Sequence, residues 1–328
     1  MLKIGIVGCG LIGSKRAASL LKINNQSILV ACADTDFNKA KKLSSMYLGV
    51  KAYNSWQELI NHPDLDVVIV STLHDSLAEI SKEGIKADKH IFVEKPAAKS
   101  CNEILPIIEL TKKFNKKVRV GFNHRYHRAF QKAKSIVDSG ELGDLMFIRA
   151  RYGHGARIGY EKEWRANPEL SGGGELIDQG PHLIDLSQWF FDKPLNYYAG
   201  SIHTYFWDMP VDDNAFLILK TSISQTAFLH VSCTEWKNTF SFEIYGKDGK
   251  LDINGLGGSY GVEKLTYYKM LPEMGPPQTT IFEYPMQDNS WEIEMEEFLD
   301  DINENRTPEC DINAAYNVMS VIEDAYSK

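Results

Sequence analysis

The chain has 328 residues, 43% of them hydrophobic, which is enough for two domains of ordinary size with separate cores. Its net charge of -8 argues against a nucleic-acid partner, because a phosphate backbone is met by a basic face. No apolar stretch approaches the roughly 20 residues that cross a bilayer and no basic, cleavable leader precedes the first strand, so no membrane partner and a cytoplasmic location are expected.

Residues 3–7 read as a strand that runs into Gly8-Cys9-Gly10-Leu11-Ile12-Gly13, with a helix expected over about 11–21. In such a turn the first glycine permits the bend, the second lets backbone approach a pyrophosphate, and the third lets helix pack on strand. The helix then aims unpaired N–H groups and the positive end of its dipole at the phosphates. A second strand, 28–33, ends in Asp34, at the distance of roughly 20 residues where an acid binds the adenosine ribose hydroxyls. That carboxylate would repel a 2'-phosphate, and Thr35 and Asp36 follow without an arginine, so NAD(H) is favoured over NADP(H). The competing reading of Asp34 is a solvated loop acid.

Further along, 67–72, His90–Glu94 and 117–121 read as strands, and 38–48, 76–86 and 102–114 as helices. The alternation predicts a parallel sheet covered by helices on both faces. Functional residues on such a sheet gather at strand C-termini, where Gly8, Asp34, Thr72, Lys95 and Asn123 fall. Beyond Phe122 the pattern changes. A helix at 129–139 is followed by strands at 145–152, 198–206, 215–221, 226–233, 240–245 and 250–253, with Lys247-Asp248-Gly249 as a hairpin turn, and helices at 291–303 and 314–326. An antiparallel sheet domain is expected here, with boundaries at 1–122 and 123–328. Cys9, Cys32, Cys101, Cys233 and Cys310 are scattered and contain no CxxC pair, as expected of buried small hydrophobes, so neither a disulfide framework nor a metal site is expected.

Two segments carry candidate chemistry. In Glu94-Lys95-Pro96 the proline holds the lysine out of the helical region, and its ammonium is suited to an alkoxide-like transition state; a surface lysine at a loop corner is the competing reading. In the run from Ser171-Gly172-Gly173-Gly174 to Leu186, Asp178 and His182 lie one helical turn apart and Asp185 three residues further. Pro181 predicts that the helix breaks or starts there. His182 titrates near neutrality and suits the removal of a hydroxyl proton, while Asp178 either orients that imidazole or touches the substrate hydroxyl. Asp185 is expected to hold a packing contact. Arg149, Arg151, His154, Arg157, Lys162 and Arg165 form a basic concentration that suits a carboxylate or phosphate. Tyr152, Tyr160 and Trp164 add aromatic faces of the kind that line sugar pockets. A solvated charged face is the bland alternative.

Together, Gly8/Gly10/Gly13 with Asp34, Glu94-Lys95-Pro96, Gly121-Phe122-Asn123-His124-Arg125-Tyr126, Trp164-Arg165, and Gly172-Gly173-Gly174 through Asp178, Gly180, His182 and Asp185 resemble one family. It is the Gfo/Idh/MocA oxidoreductases, named for glucose-fructose oxidoreductase, inositol dehydrogenase and MocA. The resemblance implies an α/β fold with an N-terminal Rossmann doubly wound parallel sheet, a C-terminal α+β domain with an open, mostly antiparallel sheet, and an active site between the domains. It implies Lys95 at the reacting hydroxyl, in a lysine–proline bond that is often cis, His182 as acid/base and Asp178 as its partner. Cofactor contacts are expected from Gly8, Gly10, Leu11, Ile12, Gly13, Asp34, Ser71, Thr72, Leu73, His74, Glu94, Lys95, Asn123, Arg125, Trp164 and Arg165. Substrate contacts are expected from Lys95, Arg125, Tyr152, His154, Arg157, Asp178 and His182. The chain departs from the family at Thr72-Leu73-His74-Asp75-Ser76-Leu77, where His74 takes an asparagine place and Leu77 a histidine place, so contacts around the nicotinamide and ribose differ in detail. The expected substrate is a sugar or polyol, neutral, anionic or nucleotide-linked, handled as a secondary alcohol or ketone by a homodimer or homotetramer. An NAD-dependent glycosidase and a dinucleotide-sensing regulator are the rival readings.

Overall fold

Val67-Val68-Ile69-Val70 is buried at every position, the mark of a strand covered on both faces. The computed structural model, which describes residues 1–23 and 26–328, places it at the centre of a parallel sheet. The strands are β1 (Leu2–Val7), β2 (Ser27–Ala33), β3 (Lys51–Tyr53), β4 (Val67–Val70), β5 (His90–Glu94) and β6 (Val118–Gly121), in the order β3-β2-β1-β4-β5-β6. All pairings are parallel, and the order reverses between β1 and β4, as in a Rossmann doubly wound sheet. The connecting helices are α1 (Leu11–Lys22), α2 (Phe37–Ser44), α3 (Trp56–Ile60), α4 (His74–Lys86) and α5 (Cys101–Phe114). Asp36, Ser55 and Ser100 cap α2, α3 and α5 through their side chains, whereas α1 and α4 begin without a side-chain cap. β3 and α3 were not expected: elements of three and five residues are too short to show a period.

The chain divides into two units, Met1–Phe122 with Trp291–Tyr316, and Asn123–Ser290 with Asn317–Lys328. The helix expected near 291–303, assigned by the sequence boundaries to the second domain, therefore belongs with the first. Arg16 explains why. Fully buried on α1, it donates from Nε to Glu94 Oε1 at 2.7 Å and from Nη1 to Glu294 Oε2 at 2.6 Å. Its guanidinium carbon lies 4.2 Å from the Phe92 ring centroid and 4.3 Å from that of Trp291. A Cβ on Gly121 would come within 2.8 Å of Glu94 Oε2, so the pair needs a glycine beside it. Arg119, also fully buried, bonds Glu297 and Asp301, each at 2.7 Å. Met295, Phe298 and Leu299 join Ile4, Leu20 and Phe92 in one core.

In the second unit come α6 (Arg128–Asp138), β7 (Leu145–Gly153), α7 (Pro168–Ser171) and α8 (Glu175–Phe191), followed by β8 (Asn196–His203), β9 (Asn214–Lys220), β10 (Thr226–Ser232), β11 (Thr239–Gly246), β12 (Gly249–Asn254), β13 (Glu263–Lys269) and β14 (Gln278–Tyr284). α9 (Ser290–Asn303) and α10 (Ile312–Tyr326) close the chain. The sheet order is β14-β13-β12-β11-β7-β10-β9-β8, antiparallel except that β7 and β10 run parallel. Inward residues such as Phe240, Phe242 and Ile244 alternate with outward ones along β11, and α8 lies against β7, β9 and β10.

Three expectations are corrected in this unit. β13 and β14 went unread, since β14 is an exposed edge strand without an apolar alternation. The strand expected at 198–206 ends at His203, because the Asp213 carboxylate takes the amides of Tyr205, Phe206 and Trp207 at 2.8–3.1 Å. α8 neither breaks nor starts at Pro181 but runs through it. Asp212 anchors its first turn from a distant loop, accepting from the Gly174 amide at 3.0 Å and the Leu176 amide at 2.8 Å, while the Tyr326 hydroxyl donates to the same carboxylate at 2.7 Å. That capping, together with the burial of Leu183, Ile184 and Leu186 beyond the proline, holds α8 in one piece despite the missing N–H.

Candidate active site

On the first unit the glycine turn follows β1, at the C-terminal edge of the sheet. Gly8 adopts φ +93, and a Cβ there would lie 2.5 Å from the Ser71 carbonyl oxygen. A Cβ on Gly13 would overlap the Gly8 carbonyl oxygen, so both glycines are required by the fold itself. Gly10 differs: nothing lies within 4 Å of its Cβ position. That open space adjoins the start of α1, where Gly10 provides no side-chain cap and the first turn holds no acid. The N–H groups of Leu11, Ile12 and Gly13 precede the first intrahelical bond, Ser14 N–H to the Gly10 carbonyl at 3.0 Å, so the start of α1 offers donors that fit a dinucleotide pyrophosphate.

Asp34 follows β2, half-buried. Its Oδ2 accepts from the Cys9 amide at 2.8 Å and its Oδ1 from the Asp36 amide at 2.9 Å, which ties the acid to the glycine turn. Each oxygen retains a lone pair for a ribose hydroxyl. Ser71 Oγ donates to the Gly8 carbonyl at 2.8 Å and braces the turn from β4. Thr72 Oγ1 accepts from Ser76 Oγ at 2.9 Å, Leu73 caps α4 through backbone alone, and His74 is buried in its first turn. The Glu94 carboxylate, expected at the cofactor, accepts from Arg16 Nε at 2.7 Å. Lys95 comes directly after β5, half-buried, in a cis peptide bond with Pro96.

On the second unit, α8 carries a buried polar cluster. Asp178 Oδ2 accepts from Arg165 Nε at 2.8 Å. His154 Nε2 lies 3.4 Å from Glu175 Oε1. Burial raises the Glu175 carboxyl above its usual range against the opposing pull of His154. Burial disfavours the His154 cation, but Glu175 and Asp178 outweigh it and raise its pKa. Arg125 donates from Nε and Nη2 to Asp185 at 2.8 and 2.6 Å, a two-point pair between buried residues. Asp185 thus holds a packing contact, and Arg125, expected at cofactor and substrate, presents its guanidinium to Asp185. His182 stacks on His124 with ring centroids 3.7 Å apart. The Tyr152 ring lies 6.2 Å from that of His182 and 5.1 Å from that of Tyr260. Asn123 donates from Nδ2 to Ser290 Oγ at 3.1 Å.

The basic concentration splits. Arg149 and Arg151 are exposed on β7, on the face opposite Ile148, Ala150 and Tyr152, and pair with Glu243 and Glu235. Arg157 is exposed and bonds Glu163 at 2.7 Å. Arg165 and His154 alone of the set join the α8 cluster, and the Arg165 guanidinium lies 4.5 Å from the Trp164 ring. Sequence reasoning assigned no role to His124, Glu175 or Asp212. The first two stand inside the segments that carried the resemblance; Asp212 stands in none. Among the described residues no group of His, Cys, Asp and Glu is placed to hold a metal ion, and no helix is long and apolar enough to cross a membrane.

A doubly wound sheet with an open glycine turn, joined in one chain to a mixed sheet backed by a helix bearing Asp178 and His182, defines a class of two-domain proteins with a dinucleotide-binding fold. Residues 2–122 match the model of the oxidoreductase family with NAD-binding Rossmann fold, and residues 130–252 match the Gfo/Idh/MocA C-terminal domain. The chain belongs to the Gfo/Idh/MocA family. It is 29% identical over 194 residues to the inositol 2-dehydrogenase of Salmonella typhimurium, a match covering 58% of this chain and 55% of that enzyme. The chain thus spans little more than half the length of that curated relative. Levoglucosan dehydrogenase in complex with NADH and L-sorbose superposes with a TM-score of 0.86 at 20% identity, over 100% of this chain and 97% of that one. A 3-ketoreductase from Actinomadura kijaniata, in complex with NADP, gives 0.85 at 18% identity over 99% and 97%. These two structures share the fold.

Proposed function

We propose that the protein is an NAD(P)-dependent oxidoreductase that exchanges hydride with the secondary alcohol or ketone carbon of a sugar or polyol. The observation that carries the reading is the open Gly10 position at the uncapped start of α1, with the Asp34 carboxylate tied to the same turn. When bound, the nicotinamide supplies the acceptor or donor of hydride. Lys95 hydrogen-bonds the reacting oxygen and stabilises its developing negative charge. His182 takes the hydroxyl proton during oxidation and returns it during reduction. Asp178, charge-paired with Arg165, fixes the polar wall beside His182, and Glu175 with His154 extends that wall toward the substrate hydroxyls. The relatives named for inositol and levoglucosan support a polyhydroxylated substrate.

NAD(H) is the preferred cofactor on the strength of the Asp34 charge. Asp34→Ala is expected to weaken NAD(H) binding about ten-fold, the loss of one charged hydrogen bond, and to leave NADP(H) binding within about two-fold. Titration calorimetry with both nucleotides checks this, and an equal loss for the two would leave Asp34 only its tether to Cys9 and Asp36. The Phe147 and Phe228 side chains, 38 and 42% exposed on adjacent parallel strands, support a homodimer or homotetramer through the second sheet. Five buried, unbridged cysteines support a reducing compartment, the cytoplasm.

The deciding experiment is a panel of inositols, sugars and nucleotide-linked sugars with NAD, followed at the NADH absorbance band. Appearance of NADH with one member is the expected result. Cleavage of a glycoside without net NADH would favour a glycosidase, and tight NAD binding with no turnover of any member would favour a regulator.

A further inference from the structure

A line of aromatic rings leads from the polar cluster of α8 to the surface of the second unit. His154, which faces Glu175, has the Tyr160 ring 6.0 Å from its own. Between ring centroids, Tyr160 lies 5.7 Å from Trp207, Trp207 5.1 Å from Phe206, and Phe206 4.9 Å from Trp236. Tyr160 is buried, whereas Phe206 and Trp236 are 54 and 73% exposed. These last two rings meet at 79° and form an open corner.

Both outer rings are held in place by the backbone beneath them. The fully buried Asp213 carboxylate takes the amides of Tyr205, Phe206 and Trp207, and Trp207 Nε1 donates to the Cys233 carbonyl at 3.0 Å. Trp236 has φ +58, a left-handed conformation that bulky residues rarely adopt. Such strain is ordinarily offset by burying the side chain, and here the indole is presented to solvent, as at sites kept for binding. The Glu235 amide donates to the His154 carbonyl at 3.0 Å, and a Cβ on Gly155 would lie 3.1 Å from the Trp236 backbone. The corner therefore adjoins the polar wall directly.

We propose that this corner is an outer sugar subsite: the substrate is a neutral glycoside whose reacting ring lies at the α8 cluster and whose second ring packs on Phe206 and Trp236. The proposal rests on the reading of that cluster as the substrate wall. The C–H face of a pyranose is an apolar surface that suits the negative face of an aromatic ring. A phosphate-bearing partner lacks matching charge, because Arg157 is bonded by Glu163 at 2.7 Å, Arg151 lies 3.8 Å from Glu235, and Trp236 stands between acidic Glu235 and basic Lys237. The exposed parts of the two rings amount to about 250 Å², the size of a sugar ring and well below the roughly 800 Å² per partner of a stable protein interface.

The test follows the indole N–H signals of ¹⁵N-labelled protein with NAD bound. Trp236 is assigned from Trp236→Asn, since asparagine tolerates the left-handed backbone. The probes are glucose, myo-inositol, cellobiose, maltose and the galactoside of myo-inositol. At least one glycoside should move the Trp236 signal and bind ten-fold or more tightly than its own free reacting unit. Trp236→Asn and Phe206→Ala should each reduce that preference by about three- to ten-fold, and Trp236→Tyr should retain most of it. A Trp236 signal that no glycoside moves more than the corresponding free ring would overturn the proposal. So would a signal moved by uridine diphosphate alone, which assigns the corner to a nucleobase, or one that shifts with protein concentration, which assigns it to a second copy of the chain. Binding in the expected pattern without NADH from any probe would remove the oxidoreductase reading and leave the subsite standing. NADH formed equally well from ring and glycoside, with Trp236→Asn changing neither, would do the reverse.

Discussion

Lys95→Ala is expected to lower kcat by about a thousand-fold and to leave the Kd for NAD(H) within about three-fold, because its hydrogen bond strengthens only as charge develops on the substrate oxygen. The residue directly follows β5, at the C-terminal edge of the sheet and one strand beyond β4, which with β1 flanks the topological switch point. Loss of one donor to a developing oxyanion costs about 100- to 1000-fold. His182→Ala should act on the same step, lowering kcat by about 100- to 10,000-fold. Stopped-flow hydride transfer with the best substrate of the panel, together with NADH fluorescence binding, separates chemistry from cofactor affinity. Weakened nucleotide binding at undiminished turnover in either variant would remove both roles.

Arg16→Met should destabilise the first unit by about 3–5 kcal/mol, the cost of leaving buried carboxylates without their cation. Two acids depend on this one guanidinium: Glu94, beside Lys95, and Glu294, which is fully buried on α9. Burial pushes the Glu294 carboxyl up to about 7, against the opposing pull of Arg16, and the Glu94 charge adds to the rise. The folded chain therefore holds a proton on Glu294 that the unfolded chain has released between about pH 4.5 and pH 7. Through this group stability falls as pH rises across that window and levels off above it. Glu294→Gln cannot ionise and should flatten that slope, while Arg16→Met should show its largest loss at the alkaline end. Urea unfolding midpoints at pH 5, 6, 7 and 8 would decide the matter. A pH-independent difference between Glu294→Gln and the unaltered chain would refute the assignment.

Most of the first unit was legible because its signals are local. Val67-Val68-Ile69-Val70 is a β-branched run too short for a helix and reads as a strand covered on both faces, and Gly8 and Gly13 announce a turn whose steric demands lie within a few residues and one adjacent strand. β3 was too short to carry a period, and β14 too exposed to carry a contrast. Glu94 was read by its neighbours as a cofactor contact, and nothing nearby in the chain signals that its carboxylate pairs with Arg16, 78 residues away. Arg125 was read the same way, and its pairing with Asp185, 60 residues further on, was equally invisible to local pattern.

The amino-acid order by itself determined the two kinds of sheet, the glycine turn with its acid, and the placing of Asp178 and His182 one turn apart, because each depends on periodicity or spacing within a single element. Tertiary structure alone decided that α9 joins the first unit, that α8 passes unbroken through Pro181, and that His124 lies flat on His182. Those outcomes depend on buried charges, caps and rings brought together across long stretches of chain: Arg16 to Glu294, Asp212 to Gly174, and the turn after β6 to the middle of α8. No local pattern records such pairings, since the energy that selects them arises only once water has been excluded from both partners at the same time.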